Sequence, residues 1–283
     1  MSLPGHIPDP AGRAALSALP SRSCTNATTL LPVPQPSGGH LTAHGGARAG
    51  LRNGPAARRS GYGRLMASGS EHLSPGLPDY LVGHSTPPDA LLRDLISETA
   101  ERFPGNVGCQ IGPEQGTFMT MLAGLMGARH AIEVGTFTGY SSICLARGMA
   151  ADGKLLCCDV SEEWTSLART YWQKAGLADR IELRLGPALD TLRALPAGES
   201  FDLAFIDADK TGYASYWEEI VPRVRPGGLI LVDNTLLHGR IFLPEPDPDA
   251  LAIRQFNELA LADDRVVLAL LPVGDGLTVA RRK

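Results

Sequence analysis

A chain of 283 residues, 43% apolar and 20% charged, has material for one large domain or two small ones, with a sizeable core in either case. Its formal net charge of −4 supplies no overall attraction to nucleic acid or to an anionic membrane surface. No apolar run approaches the roughly 20 residues that cross a bilayer, so no membrane association is expected.

The charge is unevenly divided. Residues 1–65 carry seven arginines, no lysine and one acid, Asp9, a balance of +6, which leaves −10 for the rest of a chain that totals −4. The segment is crowded with Pro, Gly, Ala and Ser, as in LPVPQPSGGHLTAHGGARAG, and has no sustained period. Such a stretch cannot bury enough apolar area to offset its ordering entropy. It reads as a disordered Pro/Gly/Arg-rich extension over residues 1–70, ahead of one folded domain over 71–283. Three origins compete for it. An organellar transit peptide is opposed by its prolines and glycines; a basic arm for a partner is the second; an extension upstream of Met66 as the more natural start is preferred. TTLLPV is too short and too broken by proline for a secretory signal. The acidic balance of the folded part argues against a nucleic-acid partner.

The cysteines are Cys24, Cys109, Cys144, Cys157 and Cys158, an odd number with no CxxC pair. Adjacent Cys157 and Cys158 fall in a strand pattern, so they point to opposite faces as small hydrophobes. A reducing cytoplasm suits this usage.

From about residue 87 the chain alternates helical and extended patterns. PPDALLRDLISETAERF opens on prolines and sets Leu91, Leu92, Leu95, Ile96 and Ala100 at helical spacing. EQGTFMTMLAGLMG repeats the pattern through Phe118, Met121, Leu122 and Leu125, its methionines read as core. Short apolar strands follow: HAIEVG, KLLCCDV, IELRLG, LAFIDAD and LILVDN, with helices near 140–150, 161–176, 188–195 and 212–223. VVLALLPV and GLTVARR are joined through Gly274-Asp275-Gly276, a hairpin signal. The series predicts an α/β, doubly wound sheet, mostly parallel with an antiparallel closing hairpin. Ligands of such a sheet lie beyond the carboxyl ends of its strands.

The first strand ends in IEVGTFTGYSS, where a dinucleotide fold would show G-x-G-x-x-G. Glu133 replaces the first glycine, with Gly135 and Gly139 after it. A carboxylate is poor company for a pyrophosphate and good company for a cation, which suits the ammonium and sulfonium of S-adenosylmethionine; a tight turn without ligand also explains it. The second strand ends at Asp159, 20 residues after Gly139, where an acid bonds ribose hydroxyls. That position does not separate NAD from S-adenosylmethionine. As a mere helix cap, Asp159 is a weaker candidate than Ser161.

The fourth and fifth strands end in IDADK and LVDNT, and in a doubly wound sheet they lie side by side next to the first. Asp207, Asp233 and Asn234 could then converge as three hard oxygen donors, which suits Mg²⁺, Mn²⁺ or Ca²⁺ rather than zinc. Acids that simply cap helices are the plain alternative. Lys210 follows three residues after Asp207. A solvated lysine, near ~10.4, is a poor base, but desolvation beside a dication brings the neutral amine within reach. A surface lysine in a helical first turn is its plain alternative.

IEVGTFTGYSS, GPAL, FIDADKTGY, LVDNTLLHGRI and LLPVGDGLTVARR together resemble the caffeoyl-CoA and catechol O-methyltransferases, the cation-dependent class I family, over about residues 78–283. The resemblance implies a seven-stranded Rossmann-like sheet, a homodimer and a divalent cation, with magnesium first. Glu133, Gly135, Thr136, Ser141, Asp159 and Ala188 match the family's S-adenosylmethionine contacts, Ile111 a backbone contact to its methionine end, and Asp209 a position close to the cofactor. Asp207, Asp233 and Asn234 match the metal ligands, and Lys210 the base that takes the acceptor's proton. The chain departs from the plant caffeoyl-CoA enzymes where NTLLHG stands in place of a sequence similar to NTLWNG. His238 there could contact a different phenol or act as a second base, but an exposed loop histidine is the preferred reading. HGRIFLPEPDPDA is expected to shape the acceptor pocket.

The implied activity is divalent-metal-dependent methyl transfer from S-adenosylmethionine to a hydroxyl of a catechol-like small molecule. Two rivals remain. An NAD-dependent oxidoreductase wants the missing glycine fingerprint, and a non-catalytic nucleoside-binding module has no use for Lys210.

Overall fold

The computed structural model describes residues 76–198 and 200–283. The extension expected over 1–70 and the start at Met66 lie outside the described residues. Three helices come first: α1 (Leu77–Gly83), α2 (Ala90–Arg102) and α3 (Pro113–Leu125). Then β1 (His130–Val134), α4 (Tyr140–Gly148), β2 (Lys154–Asp159), α5 (Glu162–Lys174), β3 (Ile181–Leu185), α6 (Ala188–Ala194), β4 (Phe201–Ile206), α7 (Tyr213–Ile220) and β5 (Val224–Val232) alternate. The chain closes with α8 (Pro248–Ala262), β6 (Val266–Leu271) and β7 (Leu277–Arg282).

The seven strands form one sheet in the order β3-β2-β1-β4-β5-β7-β6. Pairing is parallel from β3 through β5 and antiparallel at β5–β7 and β7–β6. The doubly wound sheet and its antiparallel hairpin are therefore as expected, with β4 beside β1 and β5 beside β4. Central strands β1 and β4 are buried almost throughout, as strands covered on both faces must be. One core layer sets Leu95, Ile96, Met119, Ile143 and Leu145 against the sheet; the other sets Leu192, Trp217, Ile220, Ile253 and Phe256 there. Cys157 belongs to the first layer and Cys158 to the second, both as free thiols.

Three parts of the chain differ from the sequence reading, the first being α1, which precedes the residue-87 start of the expected elements. The reading places no element between the fifth strand and the hairpin, whereas α8 runs for 15 residues there. Asp247 caps it through the N–H groups of Asp249 and Ala250, Pro248 opens it, and Ala250, Ile253, Phe256 and Ala260 form its buried stripe. On α3 the expected apolar face holds in part: Phe118 and Leu122 pack on the core and Met119 is buried, but Met121 and Leu125 are exposed at 57% and 82%, while Gln115 and Gly116 face inward. α3 packs along α4, and the small Gly116 is what lets it approach, because a Cβ there would stand 2.8 Å from Cys144 Sγ.

Among the described residues no helix is long and apolar enough to cross a membrane.

Candidate active site

The site is built from the first residues past the strand ends, and the parallel ladder extends one rung into them. Gly186 N–H donates to Asp159 O at 2.9 Å, Gly135 N–H to Cys158 O at 2.9 Å, Asp207 N–H to Val134 O at 2.8 Å and Asp233 N–H to Ile206 O at 3.0 Å. These backbone bonds set the heights of the side chains that follow. Gly135 is required where it stands. Its φ is +89° and a Cβ would lie 1.8 Å from the Asp207 carbonyl oxygen, so only glycine lets the β1 turn and the β4 tip meet.

The tips open onto a cavity of about 370 Å³, lined among others by Gly135, Thr136, Ser141, Asp159, Ala188, Asp207, Asp209, Lys210, Asn234 and His238. Ten of the residues singled out from sequence thus share one space. Ile111, Glu133 and Asp233 do not line it, being buried at 3%, 0% and 1% exposure.

At the β1–β2 side, Asp159 ties the turn together. Its Oδ2 accepts from Thr136 N–H at 2.9 Å and Phe137 N–H at 2.8 Å, and its Oδ1 from Ser161 N–H at 2.8 Å. Ser161 is the helix cap, accepting from Trp164 N–H. Beneath the turn, Glu133 Oε2 accepts from the Cys157 thiol at 3.2 Å, and Oε1 is buried with no hydrogen-bond partner among the described residues. Burial pushes the Glu133 carboxyl up to about 7, offset only in part by its polar neighbours Ser141, Cys157 and Thr136. An orphaned buried carboxylate oxygen below a ribose-type acid is an arrangement that an ammonium-bearing nucleoside would satisfy.

At the β4–β5 side, Lys210 is buried and centred among oxygens. Its Nζ lies 2.6 Å from Asn234 Oδ1, 2.7 Å from Tyr213 Oη, 2.9 Å from Ala208 O and 3.1 Å from Asp207 Oδ1. Four acceptors exceed the three N–H groups of an ammonium, and the group is a donor in this geometry. The plain surface-lysine reading is thereby set aside. Tyr213 Oη in turn donates to Asp233 O at 3.1 Å, and Tyr216 Oη donates to Asp209 Oδ1 at 2.5 Å.

Asp233 stands behind this group. Its Oδ1 accepts from Asn234 N–H at 2.7 Å and its Oδ2 from Gln115 Nε2 at 2.8 Å. Burial first, and then the charge of Asp207, raise its carboxyl far above the ordinary carboxylate range. Asp207 and Asn234 thus line one corner of the cavity, with the buried Asp233 directly behind them. Among the described residues no three His, Cys, Asp or Glu side chains gather as a metal cluster, so any cation here would rest on that mixed oxygen set.

His238 is not the exposed loop histidine that the sequence reading prefers. It is half-buried on the cavity wall, its backbone in the left-handed region at φ 51°. Its N–H donates to Asp275 Oδ1 at 2.5 Å and its Nε2 lies 3.4 Å from Asp275 Oδ2. Asn234 and Leu237 are also left-handed, at φ 56° and 45°. Conformations of this kind cost of order 1–3 kcal/mol each and persist only where the surroundings enforce them. Sequence reasoning missed Gln115, Tyr213, Tyr216 and Asp275; the adjacency of Tyr213 to Lys210 and of Asp275 to the hairpin glycines was the available signal.

Residues 83–283 match the model of the O-methyltransferase family. The chain belongs to that family. A probable caffeoyl-CoA O-methyltransferase 2 from Dictyostelium discoideum is 39% identical over 206 residues, covering 71% of this methyltransferase and 89% of the relative. The mouse catechol O-methyltransferase domain-containing protein 1 is 38% identical over 205 residues, with 71% and 78% covered. Among solved structures, the O-methyltransferase from Bacillus cereus in complex with SAH superposes with a TM-score of 0.67 at 34% identity, covering 74% of this chain and 97% of the other. The seven-stranded sheet is thus that of the family, the protein is an O-methyltransferase, and the oxidoreductase and non-catalytic readings fall away.

Proposed function

We propose that this methyltransferase moves the methyl group of S-adenosylmethionine to one hydroxyl of an ortho-diphenol, with the assistance of a divalent cation. The observation that carries the reading is the shared position of Asp207 and Asn234, whose oxygens both meet Lys210 Nζ in the cavity that the Asp159 turn also lines.

Each residue then has a task. Asp159 and the Gly135–Thr136 backbone receive the ribose end, and Glu133 offers its unpartnered oxygen to the cofactor's ammonium. Ser141 and Ala188 border the same space, Asp209 stands close to the cofactor, and Ile111 backs its methionine end from the core. Asp207, Asp233 and Asn234 would hold the cation. The donor set fits: oxygens alone, two of them on acids pressed together at an electrostatic cost that a dication relieves. When bound, Mg²⁺ or a similar ion favours the oxyanion of a chelating diol, as metals do for bound water. Lys210 would take the acceptor's proton only as the neutral amine, after releasing a proton of its own to solvent and giving up its bonds to Asp207 and Asn234, while Ala208 and Tyr213 keep it in place. His238, oriented by Asp275, contacts the acceptor from the opposite wall. Alignment supplies the rest, since a two-body displacement gains most from fixed distance and direction. A homodimer and a cytoplasmic location complete the reading.

The test is transfer of labelled methyl from S-adenosylmethionine to a panel of ortho-diphenols with Mg²⁺, with EDTA, and with Mg²⁺ restored. Turnover should vanish under EDTA and return with the metal, and Asp233→Ala should lose the metal-dependent part. Undiminished turnover under chelation would remove the cation from the mechanism. Light scattering tests the dimer.

A further inference from the structure

We infer that Gln115 is a positioning residue that fixes the Asp233 carboxylate and, through it, the affinity of the strand-tip oxygens for a divalent cation. The inference rests on the cation reading above. Gln115 stands on α3, 118 positions from Asp233 in the chain, and is fully buried.

A carboxylate turns readily about its terminal torsion, whose wells are broad. Here neither oxygen is free to turn. Oδ1 is held by Asn234 N–H at 2.7 Å and Oδ2 by Gln115 Nε2 at 2.8 Å. Each carboxylate oxygen keeps a further lone pair after accepting one bond, so the clamp orients the group without exhausting it. The choice of an amide has a chemical reason. A lysine at this place would cancel the charge a cation needs, and an acid would add repulsion; an amide donates and leaves the charge intact.

The amide is closed off from behind by packing alone, since its Oε1 is buried with no hydrogen-bond partner among the described residues. A Cβ on Gly274 would stand 2.1 Å from Gln115 Oε1, so the turn between β6 and β7 closes directly on the far side of the amide. Three distant pieces of chain thus meet around the Gln115 amide: α3, which carries it, the tip of β5, whose Asp233 accepts from it, and the hairpin turn, which lies against its oxygen. The contact puts Gln115 on the buried face of α3 beside Met119 and Ala123, while Met121 and Leu125 lie in solvent. Loss of an outer partner of a metal-ligating group typically costs about 10- to 100-fold in metal affinity.

The experiment is a Mn²⁺ titration of the full chain followed by electron paramagnetic resonance, with SAH titrated in parallel by calorimetry. Gln115→Leu keeps the volume and removes the donor; it should weaken Mn²⁺ binding by about 10- to 100-fold and leave SAH affinity unchanged. Met119→Ala, four residues along the same helix and in the core, should lower the melting temperature while keeping the wild-type Mn²⁺ affinity. Gly274→Ala, which pushes the amide from behind and keeps every site residue, should reproduce the loss even if Gln115→Leu does not fold. Wild-type Mn²⁺ affinity in Gln115→Leu or Gly274→Ala, or an equal loss in Met119→Ala, would overturn the inference alone. Absence of saturable Mn²⁺ binding by the wild-type chain would overturn the cation reading and this inference together.

Discussion

The buried acid beneath the first turn makes a prediction that needs neither substrate nor metal. Glu133 is fully buried and its carboxyl is pushed from an ordinary value of 4.5 up to about 7, chiefly by burial. Below pH 4.5 it is protonated in both the folded and unfolded chains and contributes no pH dependence. Between 4.5 and 7 the unfolded chain sheds its proton while the folded chain keeps it, so stability falls as pH rises. Above 7 both forms are ionised and the loss is complete. A displacement of roughly 2.5 units corresponds to about 3 kcal/mol, or about 6–12 °C in melting temperature for a folded unit of this size. Other groups titrate in the same range, so the quantity to measure is the difference between wild type and Glu133→Gln, by calorimetric or urea unfolding at half-unit steps from pH 4 to 8. That difference should shrink steadily across the window in the disfavour of wild type. A difference that stays flat, or one that changes only below pH 4.5, would refute the reasoning. Binding should mirror it: the acid must ionise to meet an ammonium, so SAH affinity should rise with pH through 7 in wild type and not in the variant.

Other outcomes follow from single contacts. Gly135→Ala should cost about 2–4 kcal/mol in urea unfolding, since a left-handed φ and a clash with the Asp207 carbonyl combine, whereas Gly176→Ala, at φ +68° with open space around it, should cost only about 1 kcal/mol. SAH affinity should collapse in the first and survive in the second. Tyr213→Phe removes the hydroxyl that accepts from Lys210 and donates to Asp233 O. It should cost about 1–3 kcal/mol of stability and lower kcat more than it raises KM. Phe256→Ala empties a fully buried site whose ring lies 5.6 Å from the rings of both Tyr213 and Trp217. It should cost about 3–5 kcal/mol and, by loosening Tyr213, reduce turnover although it touches no ligand.

The sheet was readable because its central strands leave a plain record: KLLCCD, LAFID and LILVD are short apolar runs that stop at an Asp, with helical patterns between the runs. The strand tips were readable for the same reason, since Asp159, Asp207 and Asp233 are polar residues at positions where the apolar pattern stops. What escaped depends on partners remote in the chain. Gln115 looks like the polar side of an amphipathic helix until Asp233 is brought against it, and Met121 and Leu125 look like its core. Asp275 reads as a turn residue, yet its carboxylate holds His238 across 37 positions. α8 was legible and passed over; its lead-in LPEPDPDA resembles loop, although Asp247 followed by Pro248 is a helix start.

The rungs that carry the ladder one residue past each strand separate two kinds of adaptation. Asp207 and Asp233 are pinned by main-chain atoms of neighbouring strands, so their placement is indifferent to most side-chain changes around them. The rest of the cavity lining there, Leu237, His238 and Arg240, comes from residues 236–247, held by side chains: Asp275 on the His238 N–H, Arg240 on Asp247, and Arg254 on the Ile241 and Leu243 carbonyls. Exchanging that segment between relatives should redirect which alcohol is methylated while the donor half of the machine runs on undisturbed.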